Sequence, residues 1–364
     1  MLFKMTKTEN LQGITRERNY GLDFLKGIGI LLVVSAHALL FSQFSDILYA
    51  YVCGITLNIF FVVSGYLIYT PLKINKSGVI KKTKKKFISL ITPYLCFSIL
   101  TILWHIIICV VLGNTEVSAE YFGWNLIARD IFCMASGIGI GTLWFLPVLF
   151  VSSTFLLIIS CVIGDKNNKI KFILLGVLFI ILATISQRIY NSDFSGNGLL
   201  NSIMYKYMNT IYKILNGTAY SILGYLIHML HDNKNDRLCL TIAMFSVIIS
   251  ITTYITGYTI CFQCTSCLSL SLICIIAFGS EFKYKLVRIF NPLIFCGQNS
   301  LAIMIYHYLF LFPIEQALIK SVCSSLTQNL QEWIFFVFNL ITTLIIVYFL
   351  KDNPVHERML GHKR

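Results

Sequence analysis

The sequence predicts an all-α fold: a polytopic transmembrane helix bundle of about ten spans with both termini in the cytoplasm. Three observations predict it. Of the 364 residues, 57% are hydrophobic and only 12% are charged, against about 45–50% and about 25% in soluble domains. The apolar residues fall into ten runs, most of which reach the roughly 20 residues that a bilayer requires. They do not alternate every second residue as the strands of a membrane barrel would. The basic residues, finally, sort to one side when the runs are read as alternating spans. Together with a mean hydropathy of +0.76, these features exclude an ordinary cytoplasmic enzyme, a secreted disulfide scaffold and a disordered chain.

The spans are expected at 24–42, 47–70, 87–112, 143–164, 172–186, 214–230, 238–256, 260–280, 293–313 and 333–350. The first is preceded by a polar segment, 1–23. It is too long for the apolar region of a cleaved signal peptide, and no small-residue cleavage site comes after it. With the N-terminus inside, the cytoplasmic segments are 1–23, 71–86, 165–171, 231–237, 281–292 and 351–364. Counting Lys26 at the mouth of the first span, these hold 24 of the 29 Lys and Arg. Only Arg129, Arg188, Lys206, Lys213 and Lys320 fall outside. The opposite orientation would expose the run Lys81, Lys82, Lys84, Lys85, Lys86 outside, against the positive-inside rule. The fifth span is short. The larger outer segments are 113–142 and 187–213, and residues 202–213 read as an interfacial amphipathic helix. No repeat of 20–50 residues is present.

The net charge is +13. In this setting the basic residues fix topology and meet anionic lipid headgroups. Nucleic acid is not expected as a partner, because no basic stretch lies in a folded polar domain. Most of the twelve cysteines lie within spans, where a thiol behaves as a small apolar group. Cys261, Cys264 and Cys267 have a spacing that resembles a metal site, but no nearby His, Asp or Glu completes it, so no metal is expected. Cys133 and Cys323 both fall outside and can pair.

Polar residues inside spans are costly and therefore informative. By helical rise, His37 lies about 20 Å up the first span, Asn58 about 18 Å up the second and His307 about 21 Å up the ninth. Three polar side chains thus reach one level. Each admits a packing explanation, a hydrogen bond that joins helices. His37 has companions on its own helix. Eleven residues separate it from Lys26, close to three turns, so both point to one face about 16 Å apart. Asp23 lies one turn below Lys26. The bland alternative is a lysine that snorkels to the headgroups and a satisfied core histidine. The functional one is an anion held at the mouth and a reacting group held against His37, whose neutral imidazole suits a general base near neutral pH. Ser64, Gly65 and Tyr66 lie in the inner half of the second span. Ser64 has no base nearby in sequence to make it a nucleophile, which favours packing. Trp144, at the outer mouth of the fourth span, fits either an interfacial aromatic belt or a site wall. His105, His228, His231, His356 and His362 carry no pattern and are read as non-catalytic.

Four segments together resemble the acyltransferase-3 family of integral-membrane acyltransferases. Residues 19–41, NYGLDFLKGIGILLVVSAHALLF, resemble its first span, in which Arg or Lys is followed after ten residues by His; Lys26 and His37 match. Residues 58–68, NIFFVVSGYLI, residues 142–149, TLWFLPVL, and residues 296–307, CGQNSLAIMIYH, resemble its later patterns in order. Two departures stand out. Lys26 replaces the commoner Arg, so a point charge replaces a bidentate grip on phosphate. Leu301 and Met304 stand where tyrosines are usual.

The resemblance implies a transmembrane acyltransferase domain over 24–350, with a cytoplasmic N-terminal segment 1–23 and tail 351–364. It implies transfer of an acyl group, usually acetyl, from cytoplasmic acyl-CoA to a hydroxyl of a cell-surface glycan or its lipid-linked precursor. No bound cofactor is implied; acetyl-CoA or another acyl-CoA is the donor substrate. Under this reading His37 is the general base or acyl relay, and Asn58 or His307 orients it or the acceptor. Lys26, Asp23, Lys81 and Lys82 form the acyl-CoA mouth. Some relatives carry a fused extracytoplasmic domain. Without one, the bundle completes the transfer or passes the acyl group to a separate extracytoplasmic transferase. The expected location is a bacterial inner (plasma) membrane, with membrane lipids as neighbours. The competing readings are a transporter or flippase of a lipid-linked saccharide or small solute and, further off, a polysaccharide polymerase. A succinyl donor and a cytoplasmic free-sugar acceptor also stay open.

Overall fold

A computed structural model of the chain describes residues 18–38, 46–70, 75–112, 124–164, 167–192, 199–232, 235–279 and 283–361. All regular structure among them is helical. In order the helices are α1 (Tyr20–His37), α2 (Asp46–Ile68), α3 (Lys76–Leu112), α4 (Trp124–Ala135), α5 (Phe145–Ile163), α6 (Asn168–Asn191), α7 (Leu199–Asp232), α8 (Asp236–Thr256) and α9 (Thr259–Gly279). They continue with α10 (Lys283–Ile289), α11 (Asn291–Gln298), α12 (Ser300–Tyr306), a π-helical turn (His307–Leu311), α13 (Phe312–Val322), α14 (Gln328–Leu350) and α15 (Pro354–Met359). A 3-10 turn, Gly141–Trp144, leads into α5.

Each of the ten expected spans falls on a helix or a helical series. Eight of these are long and apolar enough to cross a bilayer. The other two are α2, whose stretch Val52–Ile68 is a shorter apolar helix, and α7. In α7 the small and polar residues Thr218, Tyr220 and Ser221 are buried. A helix enclosed by other helices has no lipid to satisfy, so it need not be apolar all round. The lipid-facing positions lie on peripheral helices: Ile173 and Ile180 of α6, and Phe245 and Ile248 of α8, point outward.

Three expectations change. The fifth span is not short, because α6 runs 24 residues. Residues 202–213 do not form a separate interfacial helix. They are the first part of α7, which runs 34 residues without interruption, as no Gly or Pro lies there to break it. Cys133 and Cys323 remain separate thiols. Residues 1–17 of the expected cytoplasmic segment 1–23, residues 39–42 at the end of the first expected span and residues 113–123 of the expected outer segment 113–142 lie outside the described residues.

Two close crossings set the frame. Gly27 of α1 and Gly297 of α11 let those helices touch backbone to backbone. A Cβ on Gly297 would overlap the carbonyl oxygen of Asp23, and one on Gly27 would overlap that of Leu293. Gly65 of α2 and Gly224 of α7 make the second crossing, where added Cβ atoms would overlap the carbonyls of Ser221 and Val62. Small residues at such points replace the hydrophobic drive that lipid cannot supply. The Lys-rich first turns of α3 lie at the same end of the bundle as the start of α1. The bundle therefore has a basic end and, opposite it, a far end where α1 finishes.

Gly297→Val and Gly65→Val should each lower the thermal midpoint of the detergent-solubilised protein sharply, consistent with overpacking costs of about 3 kcal/mol or more. Val substituted at Gly176, where an added Cβ meets nothing, should leave it nearly unchanged.

Candidate active site

The far end of the bundle holds a cavity of about 820 Å³, within the range of small-molecule sites. His37, the last residue of α1, lines it. The ring of His37 lies 5.2 Å, centroid to centroid, from that of His307 and 4.5 Å from that of Tyr308. Tyr308 also lines the cavity, whereas His307 is 1% exposed and sits behind it.

The local sequence explains why His307 and Tyr308 sit as they do. Pro313 has no N–H to give the preceding turn, and its ring crowds the carbonyl four residues back. The backbone widens into the π-helical turn His307–Leu311 just ahead of it. Such turns recur at functional sites. The ring nitrogen Nδ1 of His307 lies 2.8 Å from the carbonyl of Ile303. A carbonyl only accepts, so Nδ1 carries the proton and Nε2 of the neutral ring is an acceptor. Among the described residues that Nε2 is buried without a partner, and so is Nδ1 of the adjoining His37.

The rest of the wall is aromatic and amide-rich. Trp144, Phe145, Phe312 and Phe335 supply apolar surface. Gln316, Lys320, Gln328, Gln331 and Glu332 supply polar groups around the α13–α14 connection. Thr142 fixes the 3-10 turn by donating its hydroxyl to the carbonyl of Met304 at 3.1 Å. The Trp144 ring is covered by the ammonium of Lys213 at 3.7 Å from its centroid, a cation–π contact. Trp144 is therefore a wall of the cavity and is tied to α7.

A bundle of spans with a paired-imidazole cavity narrows the possibilities, and comparison decides between them. The family model for the acyltransferase domain matches residues 19–352. The chain belongs to the acyltransferase-3 family. It is a multi-pass membrane O-acyltransferase. No curated protein and no solved structure matches it.

The acyltransferase brings some of the expected site residues together and leaves others apart. His37 and His307 meet. Asn58 does not join them: its Nδ2 donates to the Gly54 carbonyl and its Oδ1 accepts from Asn216 Nδ2 at 2.9 Å. At the basic end Asp23 is buried and binds two cations, Arg18 Nε at 2.7 Å and Lys26 Nζ at 2.8 Å. Lys26 is thus held by Asp23, and the trio carries one net positive charge. Lys81 is exposed and Lys82 half-buried on the first turns of α3. Ser64 has an amine beside it that the sequence did not suggest, Lys86 Nζ at 3.1 Å, and Ser153 at 3.3 Å. Tyr66 stacks on His228 at 4.0 Å and its hydroxyl meets His231 Nδ1 at 3.1 Å. It belongs to the α2–α7 seam.

Several residues escaped sequence reasoning. Glu315 is 4% exposed inside the ninth span, and its carboxylate accepts from Asn339 and Thr342. An acid within a span is a signal in itself, but it lies where the expected span had already ended. Asp130 is 1% exposed and accepts from His105 at 2.8 Å and from Arg129 at 3.0 Å. This arrangement fastens α4 to α3. Arg18 lies in a segment that periodicity does not reach.

Because both ends of the Asn58 carboxamide are engaged, Asn58 and Asn216 should behave as helix glue. A double-mutant cycle with alanine, read by thermal unfolding, should give a coupling of about 0.6 kcal/mol and not above about 1.7 kcal/mol. Zero coupling would mean that this bond does not hold the two helices together.

Proposed function

We propose that this acyltransferase moves an acetyl group from cytoplasmic acetyl-CoA to a hydroxyl of a cell-surface polysaccharide or its lipid-linked precursor, in a bacterial inner membrane. The observation that carries the reading is the His37–His307 pair at the cavity. His307 Nε2 can only accept, and the ring that adjoins it, 5.2 Å away between centroids, is that of His37, whose Nδ1 has no partner among the described residues. A proton on that Nδ1 leaves the lone pair of His37 on Nε2. An orienting partner that fixes the tautomer of a catalytic imidazole is the logic of hydrolase triads, here with a neutral acceptor. Catalytic hydrogen bonds are often long before substrate tightens them.

The step balances without an outside reagent. His37 takes the proton of the acceptor hydroxyl as its oxygen attacks the thioester carbonyl. The C–S bond then breaks, and the imidazolium returns the proton to the departing CoA thiolate. Product ester and free CoA result. The positive-inside rule supports placing the basic end in the cytoplasm. There Lys26, with Arg18, and the lysines Lys81 and Lys82 meet the phosphates of the nucleotide, and Asp23 holds Lys26 in place. The cavity, at the far end, takes the acceptor. Aromatic surface with a few amide and charged groups suits a sugar, which offers C–H faces and hydroxyl edges. Trp144 then serves as an acceptor platform. Asn58 supports the frame, and Ser64 and Tyr66 belong to the seam beneath.

In isolated membranes given labelled acetyl-CoA, His37→Ala and His37→Gln at normal expression should lose roughly 10²–10⁴-fold in transfer of label to glycan or glycolipid. Wild-type transfer by either variant would defeat the reading. Lys26→Ala should raise the apparent KM for acetyl-CoA by roughly tenfold, the scale of one charge-assisted hydrogen bond, and leave that for acceptor unchanged. An unchanged KM for acetyl-CoA would remove Lys26 from the donor site.

A further inference from the structure

We infer that Asn339 and Glu315 are positioning residues for the acyl transfer, holding the π-helical turn so that His307 stays against His37. The inference rests on the proposed role of the histidine pair. Asn339, 1% exposed at the middle of α14, splits its two N–H donors. One goes to the His307 carbonyl at 2.9 Å and the other to Glu315 Oε2 at 2.8 Å. Glu315 Oε1 accepts from Thr342 Oγ1 at 2.6 Å.

The chemistry of this arrangement goes beyond cohesion. A buried carboxylate costs more than a neutral side chain would at the same place, and helix-to-helix glue needs only an amide or hydroxyl. The carboxylate, however, is acceptor-only. It dictates that the Asn339 carboxamide presents its nitrogen, not its oxygen, to the π-helical turn and α13. Were the amide reversed, its oxygen would face the His307 carbonyl and repel it. Glu315 therefore fixes the flip of Asn339, and Asn339 fixes the carbonyl at the start of the turn that Pro313 opens. His307 and Tyr308, consecutive residues of that turn, are the two rings against His37. A shift of about 1 Å in such a base-orienting group can cost on the order of 10²-fold in rate. Neither Glu315 nor Asn339 lines the cavity, so neither is placed to touch the acceptor.

Steady-state kinetics of the full chain in detergent separates positioning from cohesion. Asn339→Ala should lower kcat at least about tenfold, with KM for acetyl-CoA and for acceptor within about twofold of wild type. The double variant Glu315→Leu/Asn339→Leu replaces the polar pair by apolar bulk, which is close to neutral for stability when both partners go together. It should restore the thermal midpoint but not kcat. Thr342→Val, on a half-exposed face, removes one donor from Glu315 and should lower kcat by a few-fold without loss of fold; it carries the test should Asn339→Ala not fold. A folded double variant with wild-type kcat would overturn the inference, as would a rise in KM at unchanged kcat. His37→Ala in the same assay keeps the two claims apart. If it is inactive while Asn339→Ala is normal, only positioning falls. If His37→Ala is active, the proposed function falls first.

Discussion

Everything in this bundle depends on one constraint: a polar group inside a membrane must find its partner within the protein, because lipid offers none. The consequences can be read pair by pair. Asn58 engages Asn216, Glu315 engages Asn339 and Thr342, and Asp130 engages His105 and Arg129. Among the described residues a few buried groups lack such a bond, the hydroxyls of Ser98, Ser221 and Thr343 for example, and of these groups the ring nitrogens of His37 and His307 stand out, since they sit on neighbouring rings beside a cavity. Two imidazoles left incomplete next to each other are more costly than a single satisfied one. Strain of that kind is kept where a substrate completes the arrangement.

The same constraint explains the uneven distribution of small residues and of proline. Gly27, Gly297, Gly65 and Gly224 bring backbones into contact near the basic end, so that end is closely packed and holds the Asp23 trio and the Tyr66–His228 stack. The far end is opened instead by Pro313 and the π-helical turn before it. The cavity lies on the opened side. Tight crossings below and a widened turn above are two parts of one arrangement: the first fixes α1 against α11, and the second decides what meets the top of α1.

How much of this is legible in the sequence differs from feature to feature. The helical spans are legible because each is a long apolar run, and such runs have one stable solution in lipid. The approach of His37 to His307 is legible as a level, since helical rise places both at one depth. Asn58 shares that level but not the site. Depth is one coordinate, and rotation about the helix axis, set by packing, is another. The partner of Lys26 is legible in hindsight, as Asp23 is three residues away on a helix. Lys86 beside Ser64 is not, because the two meet only through the way α2 and α3 both pack on α5. The division at Pro313 was there to be read. A hydropathy count, which averages over a turn, passes over it and with it Glu315.

The separation of Lys26 from His37 on a single helix bears on how the proposed reaction is organised. A helix does not stretch, so the roughly 16 Å between them is a fixed length. A nucleotide carrying several negative charges is too costly to draw to the level of His37 through a low-dielectric interior. A flexible, uncharged arm ending in a thioester is not. With the phosphates kept at the basic end and the hydroxylated acceptor at the far end, only the uncharged arm and its acyl terminus have to enter the bundle. On that reading the rigid spacing acts as a selection rule: the bundle excludes the charged part of the donor, admits the neutral part, and lets the two substrates meet only where His37 and His307 adjoin.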